Sequence, residues 1–146
     1  MNNISHLVKA EDLNHHSTLF AGKAAEWFVE ATYIEANLAY KKPENLVCLK
    51  IHGLKFTNPV KNGSIVNIKT SLAYTGKTSI MVYGKIYNAL KPEEVMVEGF
   101  VTFISVDSDG RKQPHNITFT PKTEEEIEIY QKALELRNAE LQVKSL

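Results

Sequence analysis

The chain has 146 residues, with 17 Lys plus Arg balanced by 17 Asp plus Glu, so no net field draws it to nucleic acid or to an anionic membrane. The basic residues are scattered without interleaved aromatics, which also argues against a nucleic-acid partner. A hydrophobic share of 43% is ordinary for one globular domain with a real core.

The lone cysteine, Cys48, excludes an internal disulfide and a cysteine metal cluster. It sits in the apolar run "LVCLKI" and is expected to be a small buried hydrophobe. With no apolar leader and no stretch of membrane-spanning length, a cytoplasmic protein is expected.

In chain order, "SHLVKAEDL" predicts a short first strand, and the turn "NHHS" leads into a long helix over roughly Leu19 to Tyr40. Ala24, Trp27, Phe28, Ala31, Ile34 and Leu38 recur at the three-to-four spacing of an amphipathic helix. Its many small residues suit close approach of other backbone. "KKPE" ends it, because proline disfavours helical geometry at the preceding residue. Ser17 or Thr18 is expected to cap the helix start.

Four strand-like runs follow: "NLVCLKIHGLKF", "SIVNIKTSLAYT", "SIMVYGKIYNAL" and "EVMVEGFVTFISVD". They alternate with a period of two and are separated by turn chemistry in "NPVKNG", "TGKT" and "KPEE". Beyond "DSDGR", a terminal helix is predicted with Thr123 as N-cap and Glu124 to Glu126 in the first turn. Consecutive strands predict an antiparallel meander with the long helix packed on it, an α+β domain. One sheet around one helix leaves edges and a sheet face open, and edge-to-edge pairing with a second copy would cover an edge.

Four motifs in this order resemble the hotdog fold, and specifically its single-domain acyl-CoA thioesterases. They are Asn14, His15, "STLFAG" and "WFVEA" at the helix; Phe56, Pro59, Val60 and Gly63 at a strand exit; "TGKTS", Thr75 to Ser79, at a hairpin; and "FISVDSDGR" followed by "TFTPKTEEEIEIYQKAL". The resemblance covers most of residues 1–146 and implies one hotdog domain: a sheet wrapped around the long helix, with a C-terminal helix.

The resemblance further implies that an acyl-CoA thioester carbonyl rests at the amino end of the long helix, polarised by amides around Ala21 and Gly22. Asn14 would orient water or thioester, with His15 and Thr18 beside the substrate. The pantetheine arm would pass Lys77, Thr78 and Ser79, where Lys77 meets a phosphate. A homodimer or a larger assembly of dimers would complete each site. No cofactor is implied other than the coenzyme A of the substrate, and no metal.

One position departs from the family. Its usual helix aspartate falls on Val29, which neither accepts a proton nor attacks a carbonyl. Glu26 and Glu30 share a helix face at i,i+4, and a carboxylate pair of that kind suits a general base. The same two could equally form a solvated stripe paired with Lys23. Two readings follow: a hydrolase with Glu30 or Glu26 replacing the aspartate, or a hotdog protein that binds acyl-CoA without turnover. A hotdog dehydratase ranks last, since its helix signature is lacking. Adjacent His15 and His16 lack metal-ligand spacing, and His6, His52 and His115 read as structural. "GKTS" joins two strands instead of opening a helix, so it is no phosphate loop.

Overall fold

The computed structural model describes residues 1–145. Strand β1 (Asn2–Leu7) leads through a 3-10 turn (Ala10–Asp12) to helix α1 (Ala21–Tyr40) and a second 3-10 turn (Pro43–Asn45). Then come β2 (Leu46–Phe56), β3 (Ile65–Thr75), β4 (Ser79–Asn88), β5 (Lys91–Ser105) and helix α2 (Glu124–Ser145). The first strand therefore starts and stops earlier than expected, and "KAED" turns instead of extending. Lys41 ends α1 in the left-handed conformation (φ 62°), its amide bonding Asn37 O two residues before Pro43. Thr123 caps α2, accepting the Glu126 amide at 3.1 Å.

The strands form one antiparallel sheet in the order β1-β3-β4-β5-β2. Only β3, β4 and β5 meander. Strand β2 does not neighbour β3; it crosses to the far edge and pairs with β5. The last turn of α1 explains this. Tyr40 Oη lies 2.5 Å from Ser105 Oγ, and Asn45 and Val106 exchange hydrogen bonds, so β2 begins beside the end of β5. The connection back to β3 then runs past the start of α1, where Val60 O accepts the Leu19 amide at 2.7 Å.

α1 packs on the concave face. Phe28 is fully buried and lies with Thr32 over Gly84, where a Cβ would fall 2.8 Å from the Phe28 ring. The core joins these to Ile68, Ile80, Val82 and Phe103. The buried stripe follows Ala24, Phe28, Ala31, Glu35 and Ala36, whereas Leu38 is exposed. The expected stripe thus fails at its end: Leu38 lies within about 20° of the buried Trp27 and Ala31 around the axis, yet near the end of α1 it is left uncovered.

α2 covers part of the convex face, with Ile129, Ala133 and Leu136 against Ala73, Met81 and Phe100. The edge strand β2 keeps Val47, Leu49, Ile51 and Phe56 each more than 40% exposed, and Cys48 is exposed as well. Cys48 is therefore not buried. As an edge strand, β2 has a neighbour on one side only, and α1 leans toward β3 and β4.

Candidate active site

The start of α1 is held by a woven loop. Asn14 N–H donates to Thr18 O at 2.8 Å, and Ser17 turns through φ 62°. Asn14 Oδ1 accepts the amides of His16 (2.8 Å) and Thr18 (3.2 Å), while its Nδ2 donates to Thr18 Oγ1 at 3.1 Å. The Asn14 oxygen is thereby committed to its own turn, so its amide nitrogen is the group left with donor capacity. Phe20 N–H donates to Asp12 O, and the buried Asp12 carboxylate accepts the Lys9 amide at 2.9 Å. Asp12 is a structural acid that sequence reading passed over. Only its place two residues before Asn14 marked it.

Neither Ser17 nor Thr18 caps the helix. The N-cap is Phe20, in extended conformation, with no side-chain cap bond. Its carbonyl accepts the Lys23 and Ala24 amides at 3.0 and 3.1 Å. Among the described residues, the Ala21 and Gly22 N–H groups have no acceptor, as first-turn amides lack one within a helix. They project the positive end of the macrodipole outward. Gly22 leaves room for the Phe20 ring, since a Cβ there would lie 2.5 Å from Phe20 Cε1.

A cleft of about 320 Å³ opens at this end. Asn14, Ala21 and Ala24 form one wall; Phe56, Pro59 and Val97 form the other. The opposite wall comes from the "F-x-x-P-V-x-x-G" strand exit, which the sequence reading identified as a motif without giving it a site role.

The carboxylates lie elsewhere. Val29 is half-buried and packs against the apolar core, on the flank of α1 facing β5 together with Tyr33, whose ring meets Phe103 edge-on at 5.7 Å. Counting 100° per residue, Glu26 lies about 60° around the axis from Val29 and Glu30 about 100°, both further from the sheet. Glu26 and Glu30 are exposed, and Lys23 Nζ is 3.9 Å from Glu26. No bond joins either glutamate to Asn14. The buried helix acid is Glu35, 5% exposed, which accepts the Thr70 hydroxyl at 3.2 Å on the β3 side. His15 and His16 are exposed, with ring centroids 3.9 Å apart.

The hairpin Lys77, Thr78 and Ser79 stands at the other end of α1. Its neighbours are Ser105, whose amide donates to Thr78 O at 2.8 Å, and His115, whose amide donates to Lys77 O at 3.2 Å. Lys77 is exposed. A 20-residue helix spans about 30 Å. One protomer therefore keeps the helix start and the hairpin well apart.

No family model matches the chain. It is 26% identical over 130 residues to a Bacillus subtilis protein named as an uncharacterized acyl-CoA thioester hydrolase, covering 87% of this chain and 74% of that one. It is also 26% identical to the protein VdlD of Helicobacter pylori, over 90% of this chain and 75% of that one. Among solved structures it resembles an apo-hexameric acyl-CoA thioesterase at TM-score 0.87 and 26% identity, covering 99% of this chain and 93% of that one. An acyl-CoA hydrolase from Bacillus cereus matches at 0.82 and 26%, covering 98% and 91%. The Staphylococcus aureus acyl-CoA hydrolase, solved with butyryl coenzyme A, matches at 0.85 and 21% over 99% and 89%, a likeness of fold.

Proposed function

We propose that this chain, a hotdog-fold protein of the acyl-CoA thioesterase type, hydrolyses a fatty acyl-CoA thioester in a site shared between two copies. The observation that carries this reading is the uncapped start of α1: unbonded amides at Ala21 and Gly22 beside a cleft with an apolar wall. A thioester carbonyl oxygen set there accepts from these amides, and the donors gain strength as negative charge grows on the oxygen.

Two copies solve the separation of the helix start from the hairpin. Strand β2 runs from Leu46, near the hairpin end, to Phe56, in the cleft wall. Antiparallel pairing of two β2 edges sets the hairpin of one protomer beside the helix start of its partner. The same pairing covers Val47, Leu49 and Ile51, and an open apolar edge strand is otherwise a liability. The hexameric thioesterase with this fold supports an assembly of such dimers.

Water attacks the carbonyl carbon, oriented by Asn14 Nδ2, and a carboxylate removes its proton. The tetrahedral oxyanion collapses, the C–S bond breaks, and the coenzyme A thiolate takes up the proton. The products are a carboxylic acid and free coenzyme A. Of the two glutamates, Glu26 is nearer in direction to Val29, so we assign it the role of base, with Glu30 flanking it.

Purified protein, a panel of acyl-CoAs and a free-thiol assay test the proposal. Turnover is expected, falling at least about 100-fold in Glu26→Gln. Saturable acyl-CoA binding with no thiol release would overturn it. Val29→Asp is expected to raise the rate by restoring an acid on the flank turned toward β5.

A further inference from the structure

Helix α2 crosses the convex face from Lys69 of β3 to Lys50 of β2, pairing with them through Glu125 and Glu140. Beneath its middle lies a cleft of about 380 Å³, larger than the one at the helix start and unused by the hydrolase reading. Its floor holds Glu98 and Tyr83. The Tyr83 hydroxyl donates to Glu98 Oε2 at 2.8 Å, and burial together with that carboxylate keeps the phenol protonated. Glu98 Oε1 has no partner among the described residues, although a carboxylate accepts up to about four hydrogen bonds. In register, Glu98 stands between Lys55 of β2 and Lys85 of β4, yet it pairs with neither among the described residues. Lys85 is drawn over the Tyr87 ring, 5.5 Å from its centroid. On the other side β2 is bulged between His52 and Lys55, with Gly53 at φ 47°, and bulges of this kind re-aim side chains beside functional sites.

The rest of the lining divides by chemistry. Phe100, whose ring centroid is 5.2 Å from that of Tyr83, and Leu136 of α2 give an apolar wall. Lys55 and Lys132 are exposed at the mouth and carry no ion-pair partner among the described residues. Glu135 on the rim balances the second lysine, so the cleft has no net charge. His52 closes the floor and is already engaged, its Nε2 2.7 Å from Thr102 Oγ1. We propose that this cleft binds an α-amino acid with an apolar side chain. Its ammonium rests on Glu98 Oε1 beside the Tyr83 ring, where an aromatic face also favours a cation. Its carboxylate lies between Lys55 and Lys132, and its side chain packs on Phe100 and Leu136. A plain amine would leave both lysines unused, and a lone carboxylate would be set against Glu98. The proposal is independent of the hydrolase reading.

Calorimetric titration of the full chain with three probes tests this: L-phenylalanine, phenethylamine, which lacks the carboxylate, and hydrocinnamate, which lacks the ammonium. Saturable binding of phenylalanine is expected with a Kd below about 1 mM, and each analogue should bind at least about tenfold more weakly. Glu98→Gln keeps an acceptor for the Tyr83 hydroxyl. It should weaken phenylalanine and phenethylamine about tenfold and leave hydrocinnamate unharmed. Lys132→Ala, at an exposed helix position, should do the reverse, weakening phenylalanine and hydrocinnamate while sparing phenethylamine. No saturable binding of phenylalanine to wild type would overturn the proposal. So would phenethylamine or hydrocinnamate binding as tightly as phenylalanine, or a variant weakening all three probes equally. If Glu98→Gln fails to fold, the probe series on wild type and Lys132→Ala decides by the same criteria.

Discussion

The ring of His115 bridges two strands of backbone. Its Nε2 lies 2.9 Å from the Ser79 carbonyl oxygen, and its Nδ1 accepts the Ile117 amide at 2.9 Å. Because Nδ1 accepts, the ring proton is on Nε2 and is donated to Ser79. This pins the segment after β5 to the hairpin whose residues are assigned to the coenzyme A arm. His115→Ala is expected to destabilise the fold by about 1–3 kcal/mol, since it empties the space of a buried ring and takes the acceptor from the part-buried Ile117 amide, while Ser79 O keeps the Gly76 amide. KM for acyl-CoA should rise more than kcat falls. Denaturant unfolding and steady-state kinetics on the same sample check both, and a pure kcat loss would contradict the hairpin role.

His52 gives the fold an acid-sensitive point. Burial, with Lys50 beside it, holds this imidazole below its ordinary value of 6.5. The unfolded chain then takes up a proton that the folded chain still refuses. Stability is complete above about pH 6.5 and declines as pH falls from there toward the folded value. His52→Gln keeps a partner for Thr102 and should flatten that decline. Urea unfolding between about pH 7.5 and 5 measures it, and an unchanged slope would place the sensitivity elsewhere.

Gly84 is expected to tolerate nothing larger. A methyl there would lie 2.8 Å from Phe28 Cε2 and 3.2 Å from Thr32 Cγ2, and Phe28 is fully enclosed. Gly84→Ala should lower stability by about 1–3 kcal/mol through overpacking. Pairing it with Phe28→Leu should recover part of that loss. A double-mutant cycle in denaturant tests the coupling, and strict additivity would refute the contact.

Asn14 allows its two duties to be separated. Its oxygen takes the two turn amides, and its nitrogen, which also meets Thr18 Oγ1, is assigned to the reaction. Asn14→Asp keeps the acceptor and removes the donor. The variant should unfold at close to the wild-type midpoint while thiol release drops about 100-fold. If stability and rate collapse together, Asn14 serves the loop alone.

Periodicity was enough to place α1, α2 and strands β2 to β5 to within a few residues, because alternation and three-to-four spacing are local properties. The strand order was not local. It depends on Tyr40 meeting Ser105, a contact across 65 positions, and without it β2 looks like the first strand of a meander. Cys48 was misplaced for the same reason, since alternation does not tell an edge strand from a central one. Thr18 carries a good capping side chain, yet Asn14 draws it into the loop and leaves the N-cap position to Phe20. The helix-start motif was visible in the sequence. The placing of the hairpin at the far end of α1 was not, because it follows from the fold.

The N-cap at Phe20 implies a conflict between stability and work. A serine or aspartate at that position would bond the first-turn amides and strengthen α1 by about 1 kcal/mol. It would also give the helix an internal acceptor competing for the amides assigned to substrate. Phenylalanine carries no such acceptor, and its ring rests on Gly22 instead. Selection for a tighter fold and selection for turnover thus pull this one residue in opposite directions, as expected where a protein gives up stability at the place it does its chemistry.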